Sequence, residues 1–253
     1  MSASFLQRSV ESSGPRQRPL ILGHRGSHSS EPENSIEAVK AALADGADGV
    51  EVDLRLTADN EVLLSHDPLV GRTPLCELTK AKRLSDPVLC LLDTLDDLLI
   101  HGGDQLYNLE LKPDPGGRAE HFVDTVLEKL GPRSNSPEIL FSSFDWSMME
   151  IMKLRSPDSN VALLVNYATP LRAAIGRACE FGLSGVNIHR RRATEHSLDT
   201  ISKYGLSVAV WTVDSQSEAI NLSYHPVTVI ITNKITEIRR AVDSAMSRGT
   251  GNQ

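Results

Sequence analysis

The chain has 253 residues with a formal net charge of −7 and a sequence pI near 5.6, a balance that argues against nonspecific nucleic-acid binding. Its 23% charged and 40% hydrophobic residues are ordinary for a globular domain that buries a full core. No stretch reaches the roughly 18 apolar residues of a membrane helix, so neither a nucleic-acid partner nor a membrane span is expected.

Residues 1–18 are rich in Ser, Arg and Gln and lack the apolar run of a signal peptide. They and residues 247–253 read as flexible tails around one domain at 19–247. Cys76, Cys90 and Cys179 are odd in number, and their spacing fits neither a zinc site nor a disulfide framework. They read as reduced thiols, so a cytoplasmic location is expected. No pattern sets an oligomeric state.

Along the chain, short apolar runs alternate with helical patterns. Predicted strands are 19–23, 49–55, 61–66, 106–111, 138–142, 161–165, 185–188, 207–212 and 228–231. Predicted helices lie near 35–45, 94–101, 118–130, 145–155, 170–182, 194–204, 215–222 and 235–247. Such alternation implies parallel pairing, and α/β barrels typically need about 250 residues. For helix 35–45, Asn34 is the expected N-cap, with Glu37 completing a capping box. Gly46 is placed to close its C-terminus with positive φ.

Nine strands exceed an eightfold barrel by one. The link from Arg55 to Glu61 is too short for a parallel crossover, which takes a dozen or more residues. Segments 49–55 and 61–66 are therefore read as a hairpin turning at Ala58-Asp59-Asn60, which folds His66 back towards Glu51 and Asp53. Segment 67–93 lacks clear periodicity, carries Pro68, Pro74 and Pro87, and is expected to be a short insertion or lid. The fold class is thus a TIM (β/α)8 barrel with a hairpin at 49–66 and an insertion at 67–93.

Active sites of such barrels sit at the C-terminal ends of the strands, where four clusters fall. Gly23-His24-Arg25-Gly26 offers an imidazole that moves protons near neutral pH and a guanidinium that grips phosphate with two parallel bonds. Glu51 and Asp53, two apart on a strand, share one face while Val50, Val52 and Leu54 share the other. Two hard oxygen ligands at that spacing suit Mg²⁺ or Ca²⁺, though a strand with a solvated face reads the same. Asn108, Glu110 and Lys112 likewise share a face; Glu110 offers a third carboxylate and Lys112 a point charge for phosphate, or the two form a plain ion pair. His66-Asp67, followed by Arg72-Thr73, offers a second imidazole. Two histidines about one phosphorus can divide proton removal from proton donation.

These residues together resemble the glycerophosphodiester phosphodiesterase family. The resemblance rests on His24-Arg25-Gly26, Pro32-Glu33-Asn34-Ser35, Gly46-Ala47-Asp48-Gly49, Glu51-Val52-Asp53, His66-Asp67, Arg72-Thr73 and Leu109-Glu110-Leu111-Lys112. It continues through Phe141-Ser142-Ser143-Phe144, Val210-Trp211-Thr212-Val213 and Ile230-Ile231-Thr232. It implies a phospholipase-C-like TIM barrel in which His24 and His66 are the acid/base pair. It further implies that Glu51, Asp53 and Glu110 bind one divalent cation, Mg²⁺ or Ca²⁺ with Mn²⁺ a third choice, and that Arg25 and Lys112 hold the phosphate. Small soluble glycerophosphodiesters would be hydrolysed to sn-glycerol 3-phosphate and an alcohol such as choline, ethanolamine or glycerol. Water, or first the glycerol 2-hydroxyl, would attack.

Against the family pattern, Ser35 stands for Thr, Asp214 for Asn and Asn233 for Asp. The last two fall on the substrate side. The short insertion at 67–93 implies an open pocket tolerant of varied head groups. Trp211 is read either as an apolar wall for glycerol or as a core residue, and Glu33 as a support for the site or as a helix cap. His189 with Arg190–Arg192 is read as a mouth-facing strand end or a solvated basic turn; His28, His101, His121, His196 and His225 are given no role. A lysophospholipase D-like enzyme acting on lipids is the nearest alternative, though no apolar rim is evident in the sequence. A sugar isomerase fits the phosphate-seeking cations poorly, and a binding protein without activity would not need every catalytic residue type.

Overall fold

In the computed structural model, residues 18–29, 31–79, 90–95 and 105–249 are described. Eight parallel strands close into a barrel: β1 (Leu20–His24), β2 (Gly49–Leu56), β7 (Leu106–Leu111), β8 (Ile139–Ser143), β9 (Asn160–Val165), β10 (Gly185–His189), β11 (Ser207–Trp211) and β12 (Val229–Thr232). β1 pairs with both β12 and β2, which removes the sheet edges. The helices between them are α1 (Ile36–Ala44), α2 (Ala119–Leu130), α3 (Trp146–Arg155), α4 (Leu171–Glu180), α5 (Glu195–Lys203), α6 (Gln216–Ser223) and α7 (Ile235–Gly249).

The two-residue period of each strand divides the core. Val50, Val52 and Leu54 face outwards and pack with helix residues such as Val39, Phe122 and Met148 in one continuous cluster. Leu22, Leu106, Leu140, Ala162, Ala209, Val229 and Ile231 form a second cluster that fills the barrel interior. Polar side chains begin one step further along the same inward rows. The register aligns His24 with Glu51, Glu51 with Asn108, and Asp53 with Glu110, so adjacent strands deliver these groups to one end of the barrel.

The expected hairpin is present. β3 (Val62–Leu64) runs antiparallel to β2, with Leu54 opposite Leu64 and Leu56 opposite Val62. Asn60 takes the turn with φ +63°. The insertion forms a small ribbon of β4 (Leu69–Val70) and β5 (Thr73–Pro74), and β6 (Cys90–Leu91) pairs with β3. Residues 92–95 are helical, and the rest of the predicted helix 94–101 lies outside the described residues. Arg18, expected in the tail, is anchored instead: it pairs with Asp48 at 2.7 Å and Asp243 at 3.2 Å. Residues 1–17 lie outside the described residues. All three cysteines are unpaired.

One expectation is corrected. Ser35, not Asn34, caps α1: its hydroxyl accepts the Ala38 N–H at 3.0 Å, and its backbone is extended. Serine keeps the capping hydroxyl that a threonine would supply. Asn34 stands one residue earlier at φ +58°, which aims its amide away from the helix. Gly46 ends the helix at φ +90° as expected. Two other glycines are sterically required. A Cβ on Gly26 would lie 2.6 Å from the Ala38 backbone, and one on Gly49 would lie 1.9 Å from the Leu106 carbonyl oxygen.

Candidate active site

A cavity of about 170 Å³ opens at the C-terminal end of the barrel. His24, Arg25, Glu51, His66, Glu110, Lys112 and Trp211 all line it. Asp53 lies directly behind: Lys112 Nζ is 2.8 Å from its Oδ1 and Arg25 Nε is 3.4 Å from its Oδ2.

Glu51, Asp53 and Glu110 each present a carboxylate oxygen within 4.8 Å of the others, and all three are buried. Burial raises Glu51 well above the ordinary carboxylate value, and the neighbouring Asp53 and Glu110 add to the push. Glu110 is raised as well, first by burial. Burial also pushes Asp53 upwards, but Lys112, Asn34 and Arg25 outweigh it and hold Asp53 low. Lys112 bridges Asp53 and Glu110. Lys112 and Arg25 are the counter-charges to these carboxylates, and Arg25 is shared with Glu33. Glu51 Oε1 and Asn108 Oδ1 are both buried without a hydrogen-bond partner. Such orphaned acceptors are costly, and three hard oxygen donors with spare lone pairs fit a divalent cation.

Arg25 is shaped by its backbone. At φ +58° its N–H donates to Glu51 Oε2 at 3.1 Å, while its guanidinium makes two bonds to Glu33 at 3.0 and 2.9 Å. Glu33 is thus a support for Arg25 and not a helix cap. Arg25 and Lys112 both line the cavity, each oriented by carboxylates.

His66 is set by two contacts. Arg55 donates to its carbonyl oxygen from Nε at 3.0 Å and from a terminal nitrogen at 2.7 Å. Its Nδ1 donates to Asp67 Oδ1 at 2.9 Å. Across the cavity, His24 Nδ1 lies 2.8 Å from Asn233 Oδ1, and His24 Nε2 lies 4.0 Å from Glu51 Oε2. Burial, then the charge of Arg25, lowers the His24 pKa against the raising effect of Asn233.

Trp211 ends β11, lines the cavity and donates its indole N–H to the Asn187 carbonyl at 3.2 Å. It packs against the barrel-interior cluster on one hand and faces the cavity on the other. Phe144 packs edge-on against it at 5.5 Å and His189 at 5.1 Å from the other side. Tyr167 follows at 6.3 Å from His189. His189 therefore packs beside a residue of the cavity wall without lining the cavity itself.

Asn34, Arg55, Phe144 and Asn233 were not among the expected site residues. Asn34 holds Asp53 twice, donating from Nδ2 to Oδ2 and accepting the Asp53 N–H, both at 2.9 Å. A positive-φ-tolerant Asn in front of a separate capping Ser was the available signal. Arg72 brings no contact to the site among the described residues.

The chain is similar to known proteins in sequence and in fold. The description "Glycerophosphoryl diester phosphodiesterase family" fits residues 24–237. A glycerophosphodiester phosphodiesterase of Caldanaerobacter subterraneus is 25% identical over 85% of this chain and 94% of its own length. Among solved structures, a glycerophosphodiester phosphodiesterase from Parabacteroides distasonis superposes with a TM-score of 0.80 at 21% identity, over 92% of this chain and 98% of that one. A phosphodiesterase from Oleispira antarctica, solved with the product sn-glycerol-3-phosphate, gives 0.77 at 23% identity, over 89% and 97%.

Proposed function

Since the chain belongs to the glycerophosphoryl diester phosphodiesterase family, and is an enzyme of that class, we propose that it hydrolyses small glycerophosphodiesters to sn-glycerol 3-phosphate and an alcohol with a divalent cation and the His24–His66 pair. The observation that carries this reading is the cavity itself: two imidazoles and two cations face a buried three-carboxylate cluster with an unpartnered Glu51 oxygen.

Glu51, Asp53 and Glu110 would hold the cation, Mg²⁺ or Ca²⁺ by its hard oxygen ligands, with Mn²⁺ also compatible. When bound, such an ion supplies Lewis-acid polarisation of a phosphoryl oxygen. Arg25 and Lys112 bind and orient the phosphate, and act most strongly as its charge grows in the transition state. One imidazole removes the proton of the attacking hydroxyl, from water or the glycerol 2-hydroxyl, as the new O–P bond forms. The other gives a proton to the departing alcohol oxygen as the old P–O bond breaks. His66 is suited to carry or release a proton at Nε2, because its Nδ1–H bond to Asp67 survives either change. Trp211 and Phe144 shelter the glycerol carbons.

A second reading, action on lysophospholipids, draws support from the aromatic line at the mouth, in which Phe144 is 37% and Tyr167 65% exposed. This is the apolar rim that the sequence did not reveal. No helix among the described residues is long and apolar enough to cross a membrane.

The test is release of glycerol 3-phosphate from glycerophosphocholine, before and after EDTA, with each metal restored separately. Release that stops with EDTA and returns with one ion is expected. Turnover of lysophosphatidylcholine alone would favour the second reading, and EDTA-insensitive release would overturn the metal assignment.

A further inference from the structure

Asp214 and Asn233, which follow the ends of β11 and β12, are bonded to each other. Asp214 Oδ2 accepts from Asn233 Nδ2 at 2.8 Å. Asp214 Oδ1 accepts the Asn233 backbone N–H at 2.8 Å and the Thr232 hydroxyl at 3.0 Å. A carboxylate has only acceptors to offer, so the Asn233 NH₂ must face it and the amide oxygen must face away. That oxygen meets His24 Nδ1 at 2.8 Å and His28 Nε2 at 3.1 Å. An amide oxygen cannot donate, so both ring nitrogens must.

We propose that Asp214 and Asn233 form a pin that holds neutral His24 in the tautomer with its proton on Nδ1, so that the Nε2 lone pair faces the cavity. Asn233 is a positioning residue and Asp214 acts through it. His28, given no role from sequence, is the second donor that keeps the amide from turning. Free imidazole exchanges between two tautomers; this chain allows one, since the other would set two lone pairs against each other at 2.8 Å. Resting on the acid/base reading of the site, the pin fits His24, held by a neutral amide, for the part of base, and leaves that of acid to His66, whose Nδ1–H meets the Asp67 carboxylate. The carboxylate and amide can trade places without loss. An amide at 214 would donate to a carboxylate at 233, whose remaining oxygen would still accept from His24.

The tautomer is read directly from ¹⁵N chemical shifts of His24 in the full chain without substrate, assigned by comparison with His24→Gln. Neutral wild-type His24 is expected with Nδ1 protonated. Asn233→Leu is expected to mix the tautomers and to lower kcat about tenfold to a hundredfold, less than the roughly 10²–10⁴ of losing a whole acid–base step, with KM little changed. The exchange Asp214→Asn with Asn233→Asp is expected to restore the Nδ1-protonated form, which a merely structural role would not do. Should Asn233→Leu unfold, the wild-type and exchange spectra still decide. A proton on Nε2 in the wild type, or an unchanged tautomer in folded Asn233→Leu, overturns the pin. The expected tautomers in a protein without phosphodiesterase activity would uphold the pin and remove the acid/base reading.

Discussion

Arg55 grips the carbonyl oxygen of His66 with two hydrogen bonds, 3.0 and 2.7 Å long, across the hairpin formed by β2 and β3. The contact fixes where a residue beyond the last paired strand position enters the cavity. Hydrogen bonds from a charged donor contribute about 1.5–3 kcal/mol each. Positioning that loosens by even about 1.4 kcal/mol is tenfold in rate. Arg55→Met is therefore expected to lower kcat for glycerophosphocholine by about tenfold or more while circular dichroism stays unchanged. Full activity in this variant would show that His66 is held by Asp67 alone.

Glu51 yields a pH prediction for the metal-free protein. Its folded pKa is raised by burial and by Asp53 and Glu110. Its contribution is then fully present below the unfolded carboxylate value and is lost as pH rises towards the higher folded value. Glu51→Gln removes this dependence. In EDTA, its urea midpoint should meet or exceed that of the wild type above the ordinary carboxylate range, with the gap widening as pH rises. With metal restored the order should reverse, because a neutral amide is a poorer ligand. Equal metal-induced shifts of Tm in both proteins would exclude Glu51 as a ligand.

Lys112 stands between Asp53 and Glu110 and is the nearest substitute for a cation when none is bound. Breaking a buried ion pair by removing one partner costs about 3–5 kcal/mol. Lys112→Met should show a loss of that order by denaturation in EDTA. A divalent ion should recover more stability here than in the wild type, because it meets carboxylates with only Arg25 left as counter-charge. Activity should remain low even with metal, since the phosphate has lost a ligand. Recovery equal to that of the wild type would sink this account.

Asn34 carries two separable costs. Its side chain makes both bonds to Asp53, and its backbone sits at φ +58°. Asn34→Gly loses only the bonds, whereas Asn34→Ala adds the left-handed penalty of about 1–2 kcal/mol. Chemical denaturation should therefore rank wild type above Gly above Ala. Both variants should bind metal more weakly, because Asp53 loses its orienting partner. A Gly variant less stable than the Ala variant would contradict the backbone argument.

The sequence by itself determined the barrel, the hairpin and the inward face carrying Glu51, Asp53 and Glu110. These are readable because side chains alternate strictly along a strand and because a five-residue link cannot cross between parallel strands. His24, His66, Arg25 and Lys112 were legible as the charged residues at strand ends, and the family pattern named them together. Tertiary structure alone decided what those residues touch. Asn34 reads locally as a cap, yet its positive φ turns it onto Asp53, a partner nineteen residues away. Asp214 and Asn233 read as two unrelated departures until β11 and β12 lie side by side and join them. Arg55 reads as one more strand residue, and Phe144 as part of a motif, until the closed barrel turns both towards the mouth. Local propensity and periodicity encode direction along a chain; contacts between distant segments depend on strand register and closure, which no local window contains.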